Sequence, residues 1–503
     1  MKTLNNIDET LPFIGEIGIY QIIVIGIFCL ITIPNTFQSL IIYFVAANPA
    51  WKCVENSTFC TLTGIFKSGD KNYTMRCNMP RSEWKFVEDY EYSIVTQFGL
   101  FCENESLIFV SNSLLFAGSG VGSLICGWLA DKYGRKRMMI PCNIIVISVA
   151  FVSAFSPTYW LFACSRFVVG FFGSINIAMM FILSSELVGL RYRPAAGIIL
   201  WFFFTLALVM LGLVAMKVRK WKMLMIFSTA PYFLVIPLLF FVPESLRWMH
   251  LNKKLEQLHR DIQRIGKMNG KGTLLIELLP LNEKKISVKP WMLFNTKKMA
   301  FTTFSISFAW FINGLVYYGL SFAADNLSNH FYRNFILSSL VELPAALIGI
   351  LGATYVGRKS TVVYPMLLAG LFCALVTVID EKETRQSFIN TRVAIGLFGK
   401  FFVALSYDTI YTWTVELFPT QIRTEALGYV MIASRIGGMF SSWISKWLRV
   451  IHWRVPFVMM GALTIVSAFL MHWLPETKEK ATLEKIEDNT KIGENNSLTS
   501  IID

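Results

Sequence analysis

The chain has 503 residues, 54% of them hydrophobic and only 16% charged, with a mean hydropathy of +0.52. Soluble domains are usually near a quarter charged, so this composition excludes an ordinary water-soluble globule and makes lipid the main solvent. The net charge of +13 does not imply a nucleic-acid partner, because the bases gather in a few loops between apolar runs.

Apolar stretches near the ~20 residues needed to cross a bilayer recur along the whole chain. They predict helices at 17–44, 107–130, 138–156, 159–184, 196–216, 222–242, 300–323, 331–354, 361–379, 390–416, 424–444 and 454–474. A spanning backbone must satisfy its hydrogen bonds internally, and no run of short alternating strands suggests a barrel. The expected fold class is therefore all-α integral membrane, with twelve helices. Residues 1–16 hold one Lys and three acids and lack the basic start of a signal peptide. They are expected to be a cytosolic N-terminus, with the first span kept in the mature protein.

The loop over 45–106 carries Cys53, Cys60, Cys77 and Cys102 and the sequons Asn56-Ser-Thr, Asn72-Tyr-Thr and Asn104-Glu-Ser. Four cysteines beside three sequons predict an extracellular, glycosylated and disulfide-bonded loop, with three connectivities open. The basic loops Lys132–Arg137, Arg191–Arg193 and Arg247–Lys298 follow even-numbered spans, which places them in the cytosol by the positive-inside rule. Lys217, Arg219, Lys220, Lys222, Arg449 and Arg454 run against that majority.

The chain also repeats itself. Arg166-Phe-Val-Val-Gly-Phe-Phe-Gly173 returns as Arg392-Val-Ala-Ile-Gly-Leu-Phe-Gly399, and Gly134-Arg135-Lys136 as Gly357-Arg358-Lys359. Glu186-Leu187 with Arg193 returns as Glu416-Leu417 with Arg423, and Pro243-Glu244-Ser245 as Pro475-Glu476-Thr477. All four pairs keep their order at an offset of about 225–230 residues. Parallel repeats of this kind build a transporter from two six-helix bundles around a central site. The expected domains are bundles at 17–242 and 300–475, a cytosolic linker at 243–299 and a cytosolic tail at 476–503.

Asp131-Lys-Tyr-Gly134-Arg135-Lys136, Pro243-Glu-Ser-Leu-Arg247-Trp248 and Glu416-Leu-Phe-Pro419-Thr420-Gln-Ile-Arg423 resemble the signatures of the organic cation, carnitine and organic anion transporter family. This is solute carrier family 22 of the major facilitator superfamily, and sugar porters share the first two motif types. The cysteine-bearing first loop favours the organic ion group. Ile33-Pro34-Asn35, Val341-Glu342-Leu343-Pro344, Gly399-Lys400-Phe401 and Ala433-Ser434-Arg435 are most similar to its carnitine and organic cation branch. Two departures stand out: Ala346 replaces the lysine of typical anion carriers, and Asp408 stands where many members carry Asn or Ala. The loop is also shorter, with four cysteines where many members have six.

A charged side chain at the bilayer centre costs at least ~2.5–3.5 kcal/mol on insertion scales, so such residues should line a cavity or pair. The second half holds Glu342, Lys400, Asp408 and Arg435 within its spans. Arg435 is the candidate for a substrate carboxylate, since a guanidinium offers two parallel charge-assisted contacts; otherwise it pairs with Asp408 or Glu342. Glu342, two residues before the helix-interrupting Pro344, is the candidate for an ammonium or a coupling proton; otherwise it pairs with Lys400. Tyr317, Tyr318 and Tyr407 offer cation–π faces or plain packing. The resemblance implies a sodium-sensing role for Asn35 and a substrate role for Asn176, against ordinary interhelical hydrogen bonding. The repeated Asp131, Arg135, Glu186, Arg193, Glu244, Arg247, Arg358, Glu416 and Arg423 are expected to form a cytosolic charge gate.

No HExxH, paired CxxC or GxxxxGK[ST] pattern occurs, so enzyme chemistry and ATP hydrolysis are not expected. Nor is any cofactor or metal, with Na+ or H+ as the candidate coupling ion. The sequence points to a secondary transporter of small organic cations or zwitterions resembling carnitine or betaine, working by alternating access as a monomer in the plasma membrane. An organic anion carrier and a transport-inactive membrane sensor are the alternatives.

Overall fold

The structure, a computed structural model, describes residues 2–4, 7–55, 57, 59–60, 62–68, 70, 72–272, 276–278, 290–323, 331–380, 385–418 and 422–478. Twelve long helices, labelled α1 to α12, account for most of it. The first six are α1 Ile19–Leu40, α2 Ser106–Tyr133, α3 Arg135–Ser153, α4 Tyr159–Glu186, α5 Arg193–Lys217 and α6 Trp221–Val235, which tightens into a 3-10 turn over Ile236–Phe241. The second six are α7 Lys297–Ala323, α8 Phe331–Leu340 continued as Glu342–Tyr355, α9 Arg358–Val376, α10 Gln386–Leu417, α11 Arg423–Ile451 and α12 Val455–His472. Eleven of these stretches are long and apolar enough to cross a membrane. The twelfth, α11, is more polar because it carries Arg435, Lys446 and Arg449. All-α, twelve-helix architecture is what the sequence predicts.

Boundaries differ where a helix begins on bases. The sequence puts starts at 138 and 361, yet α3 and α9 begin at Arg135 and Arg358, immediately after Gly134 and Gly357. Both glycines hold left-handed φ angles, +102° and +127°, that a side chain would strain. A carboxylate then caps each new helix. Glu244 accepts from the backbone N–H groups of Arg135 (2.8 Å), Lys136 (2.9 Å) and Arg137 (3.3 Å). Glu476 accepts from Arg358 (2.9 Å) and Lys359 (3.1 Å) in the same way. The positive end of the helix dipole favours an anion there.

The described chain separates into two compact units, one over 1–283 with 329–339, the other over 284–328 with 340–503. This differs from the sequence division in two places. The described front of the predicted linker, 243–272, joins the first unit, because Leu258, Ile262 and Ile265 of the amphipathic helix Leu255–Met268 enter its core. The front half of α8 joins it too: Tyr43 stacks on Phe331 at 4.5 Å, and Phe44 meets Phe335 at 4.7 Å. A short N-terminal helix, Ile7–Ile14, buries Ile7, Leu11 and Ile14 in the same core, an element absent from the predicted helices. The linker residues 273–275 and 279–289 and the tail beyond 478 lie outside the described residues.

The first loop is a small folded module. Strands Trp51–Cys53 and Trp84–Phe86 pair antiparallel over a core of Trp51, Cys60, Tyr73 and Trp84. Arg76 lies 3.9 Å over the Tyr73 ring and Arg81 4.2 Å over Trp84, cation–π contacts with the module's own core rings. Burial pushes the Tyr73 hydroxyl up to about 12. The open connectivity resolves into Cys53–Cys60 and Cys77–Cys102, with Cα separations of 5.7 and 5.5 Å. Non-reducing peptide mapping should therefore recover those two pairs. By loop-closure entropy the 25-residue link stabilises by ~3.5 kcal/mol and the 7-residue link by ~2.4 kcal/mol. Cys77→Ala should thus expose the loop to limited proteolysis more than Cys60→Ala; the reverse order, or a crossed pairing, contradicts this fold.

Candidate functional site

The membrane charges of the second unit converge around Tyr317. Tyr317 and Ser321 lie one turn apart on the same face of α7, and Lys400 reaches both from α10. Its ammonium donates to the Tyr317 carbonyl (2.9 Å) and the Ser321 hydroxyl (2.6 Å), and forms an ion pair with Glu342 at 3.2 Å. It also lies 3.2 Å from the centroid of the Tyr317 ring. The other Glu342 oxygen accepts from the Tyr317 hydroxyl at 2.9 Å. Lys400 has three donor hydrogens, and the two hydrogen bonds and the ion pair account for them.

This pair is closed. The two side chains are only 3% and 7% exposed, so each charge is matched inside the protein and not by water. Such a pair ties helices together, but its net stabilisation is small because both charges lose hydration. Glu342 can take this position because α8 breaks at Val341, and the acid opens the second segment in its first turn. Pro344, lacking an N–H, is the reason for the break.

Two charges near this pair have no ion-pair partner among the described residues. Asp408, half-buried on α10, makes no hydrogen bond or ion pair among the described residues, although it lies in the field of Glu342. Arg435, half-buried on α11, has a buried Nε with no hydrogen-bond partner among the described residues and no carboxylate at ion-pair distance. Its guanidinium is within hydrogen-bonding reach of the Tyr318 hydroxyl. The residues preceding each, Tyr407 and Ser434, meet through their hydroxyls at 2.6 Å, which brings the two helix faces together beside Asp408 and Arg435. Tyr407 lies 5.5 Å from Tyr317 and 5.7 Å from Trp310, ring centre to ring centre. Close backbone approach permits this geometry. A Cβ at Gly437 would collide with the Phe311 carbonyl, and one at Gly314 with Ser434, so small residues set the α7–α11 spacing.

The predicted site residues of the first unit lie in closed hydrogen bonds. Asn176 and Asn143 exchange reciprocal amide bonds of 2.6 and 2.8 Å between α4 and α3. The side-chain oxygen of Asn35 accepts from Tyr232 at 2.8 Å, and its amide donates to the Ile31 carbonyl at 3.1 Å. Sequence reasoning missed Asn143, Ser321, Trp310 and Tyr232. Asn143 and Ser321 carried a readable signal, as polar residues inside apolar spans, and Ser321 also sits one turn beyond Tyr317.

The repeated helix-end motifs assemble into one design in each unit. In the first, Arg135 lies 3.3 Å from Asp131 and 3.7 Å from Glu186, and Ser245 donates to Glu186. In the second, Arg358 pairs with Glu416 at 3.1 Å and Thr477 donates to Glu416 at 2.5 Å. Thr354 replaces the acid of Asp131 there, so the second set has one carboxylate fewer. Arg193 donates to the Ser185 carbonyl at 3.0 Å, and Arg247 is half-buried in the helix Leu246–Leu251. The Arg423 side chain and Asn56 lie outside the described residues.

A family model described as "Sugar (and other) transporter" matches residues 68–489. The chain belongs to that family. Within the major facilitator superfamily, its relatives are those its motifs resemble, the solute carrier family 22 proteins. The "Organic cation transporter-like protein" of Drosophila melanogaster is 29% identical across 97% of this chain and 93% of its own length. "Solute carrier family 22 member 4" of Mus musculus is 25% identical across 97% and 95%. The xylose transporter XylE of E. coli, solved in an inward open conformation, superposes with a TM-score of 0.62 at 14% identity, covering 91% of this chain and 97% of that one. That likeness establishes the fold alone. The chain is a multi-pass membrane transporter of the major facilitator type, not an enzyme.

Proposed function

We infer that this transporter carries small organic cations or zwitterions of the carnitine and betaine type by alternating access. The observation behind the reading is that Asp408 and Arg435, opposite charges beside the Tyr407–Ser434 contact, have no ion-pair partner among the described residues while Glu342 and Lys400 satisfy each other. A zwitterion would place its carboxylate on Arg435 and its ammonium near Asp408, with Tyr407 and Tyr317 offering aromatic faces. Arg435 alone would suit an organic anion. The open carboxylate of Asp408 and the absence of a lysine at Ala346 argue against that reading. A sodium or proton gradient is the expected driving force, and a plasma-membrane monomer the expected form.

In this reading the linker and tail are cytosolic and the first loop is extracellular, with glycans on the exposed Asn104 and the half-buried Asn72. The helix-end sets around Arg135 and Arg358 act as the gate, because breaking and remaking them would bias the two facing states. Purified protein in vesicles preloaded with unlabelled zwitterion should accumulate the labelled solute by saturable counterflow. Arg135→Ala or Glu416→Ala should slow that counterflow severalfold with substrate Kd little changed. Binding without counterflow in the wild type would make the protein a sensor, and loss of binding in either gate variant would remove the gate.

A further inference from the structure

We propose that the first unit holds an anionic phospholipid, with one acyl chain in a lateral groove along α1 and the phosphate against Arg264. The groove encloses about 760 Å³ and is lined by apolar side chains, among them Ile23 and Leu30 of α1, Phe203 of α5, and Leu238 and Phe241 at the end of α6. That volume lies within the ~300–1,000 Å³ of ordinary ligand pockets. Nothing stands within 4 Å of where a Cβ on Gly26 would sit, so the groove is open along its α1 side. Ile23, Leu30 and Phe241 are exposed.

One end of the groove changes character. There the helix Leu255–Met268 contributes Arg264 and Met268. The exposed Arg264 guanidinium lies 6.0 Å from the Tyr20 ring and makes no hydrogen bond or ion pair among the described residues. The ammonium of Lys136 lies 2.9 Å from the carbonyl of Phe240, next in sequence to Phe241 of the groove wall, and feels the field of Arg264. The field of the Asp261 carboxylate reaches Arg264, Lys136 and Arg260. The Glu244 carboxylate, also nearby, is taken up by the backbone N–H groups that open α3. Three bases against the two carboxylates of Asp261 and Glu244 leave the rim net positive.

An apolar slot ending in excess positive charge is complementary to a two-part ligand, an acyl chain with an anionic head. Phosphatidylcholine, of zero net charge, would bring the same phosphate but also a quaternary ammonium that the surrounding bases repel, so a head of net negative charge is favoured. Basic pockets beside spans bind anionic headgroups on the cytoplasmic leaflet, at about 1 kcal/mol per basic residue, and the proposed orientation puts this rim on that side. The proposal does not depend on which solute is carried.

The test uses the full-length protein in detergent. It is exchanged against equimolar phosphatidylserine and phosphatidylcholine with identical acyl chains, and retained lipid is read by native mass spectrometry. Wild type should retain phosphatidylserine over phosphatidylcholine by at least about fivefold, the equivalent of ~1 kcal/mol. Arg264→Gln should bring the ratio close to one, and Gly26→Trp, which fills the slot, should reduce retention of both lipids. Thermal midpoints in phosphatidylcholine alone identify which variants are folded. A wild-type ratio near one means generic lipid contact and overturns the proposal. An undiminished preference in folded Arg264→Gln overturns it as well.

Discussion

Lys400→Met is expected to be the most damaging single substitution in the second unit. It removes the ammonium that donates to the Tyr317 carbonyl and Ser321 and pairs with Glu342, leaving a carboxylate only 7% exposed with no counter-charge. Breaking one partner of a buried pair typically costs ~3–5 kcal/mol, whereas replacing both by groups of similar shape is often neutral. The single variant should therefore lower the thermal midpoint of the purified protein by roughly 5–10 °C and reduce folded yield. Lys400→Met with Glu342→Gln should recover most of that loss, since a neutral amide still accepts from Tyr317. If the double variant is no better than the single, the two charges are not coupled and the geometry around Tyr317 is wrong.

Arg435→Ala should raise KM by roughly ten- to a hundredfold for carboxylate-bearing zwitterions, the equivalent of a lost charge-assisted contact of ~1.5–3 kcal/mol. A simple ammonium cation should be spared or improved, because a nearby positive charge disappears. Asp408→Asn should do the opposite, weakening ammonium-bearing solutes and tolerating carboxylates. Both changes should leave the thermal midpoint nearly unchanged, since neither side chain has an ion-pair partner among the described residues. That absence separates them from Lys400 and Glu342, whose loss acts on stability first. Initial rates of uptake at equal surface expression are the measurement. Equal loss of every probe would mark Arg435 and Asp408 as structural.

Hydropathy made the twelve helices legible, because lipid imposes one solution on long apolar runs, and the internal repeat made their division into two sets of six legible. Helix ends were less legible. Arg135 and Arg358 read as loop bases in one dimension, and only the Glu244 and Glu476 carboxylates, more than a hundred residues away, make them helix starts. The same distance hid the docking of Leu255–Met268, whose amphipathic face is visible in sequence while its partner surface is not. In the site, the residue types were legible, and the Glu342–Lys400 pair stood only as one of several alternatives. Four charges within the spans allow several pairings, and the choice of Lys400 for Glu342 depends on the α8 break at Val341 and on Ser321 one turn beyond Tyr317. Asn176 shows the converse, a polar residue in a span that is matched by Asn143.

The central claim is that a small organic ion bearing both charges is carried past Arg435 and Asp408. Its most direct test is counterflow of three probes of matched size, a carnitine-like zwitterion, its uncharged-ester cation and the corresponding anion, in vesicles containing the wild-type protein. The account predicts saturable exchange of the zwitterion, weaker exchange of the cation and least of the anion, with the zwitterion advantage lost in Arg435→Ala. Exchange led by the anion, or a zwitterion preference that survives Arg435→Ala in folded protein, would contradict it.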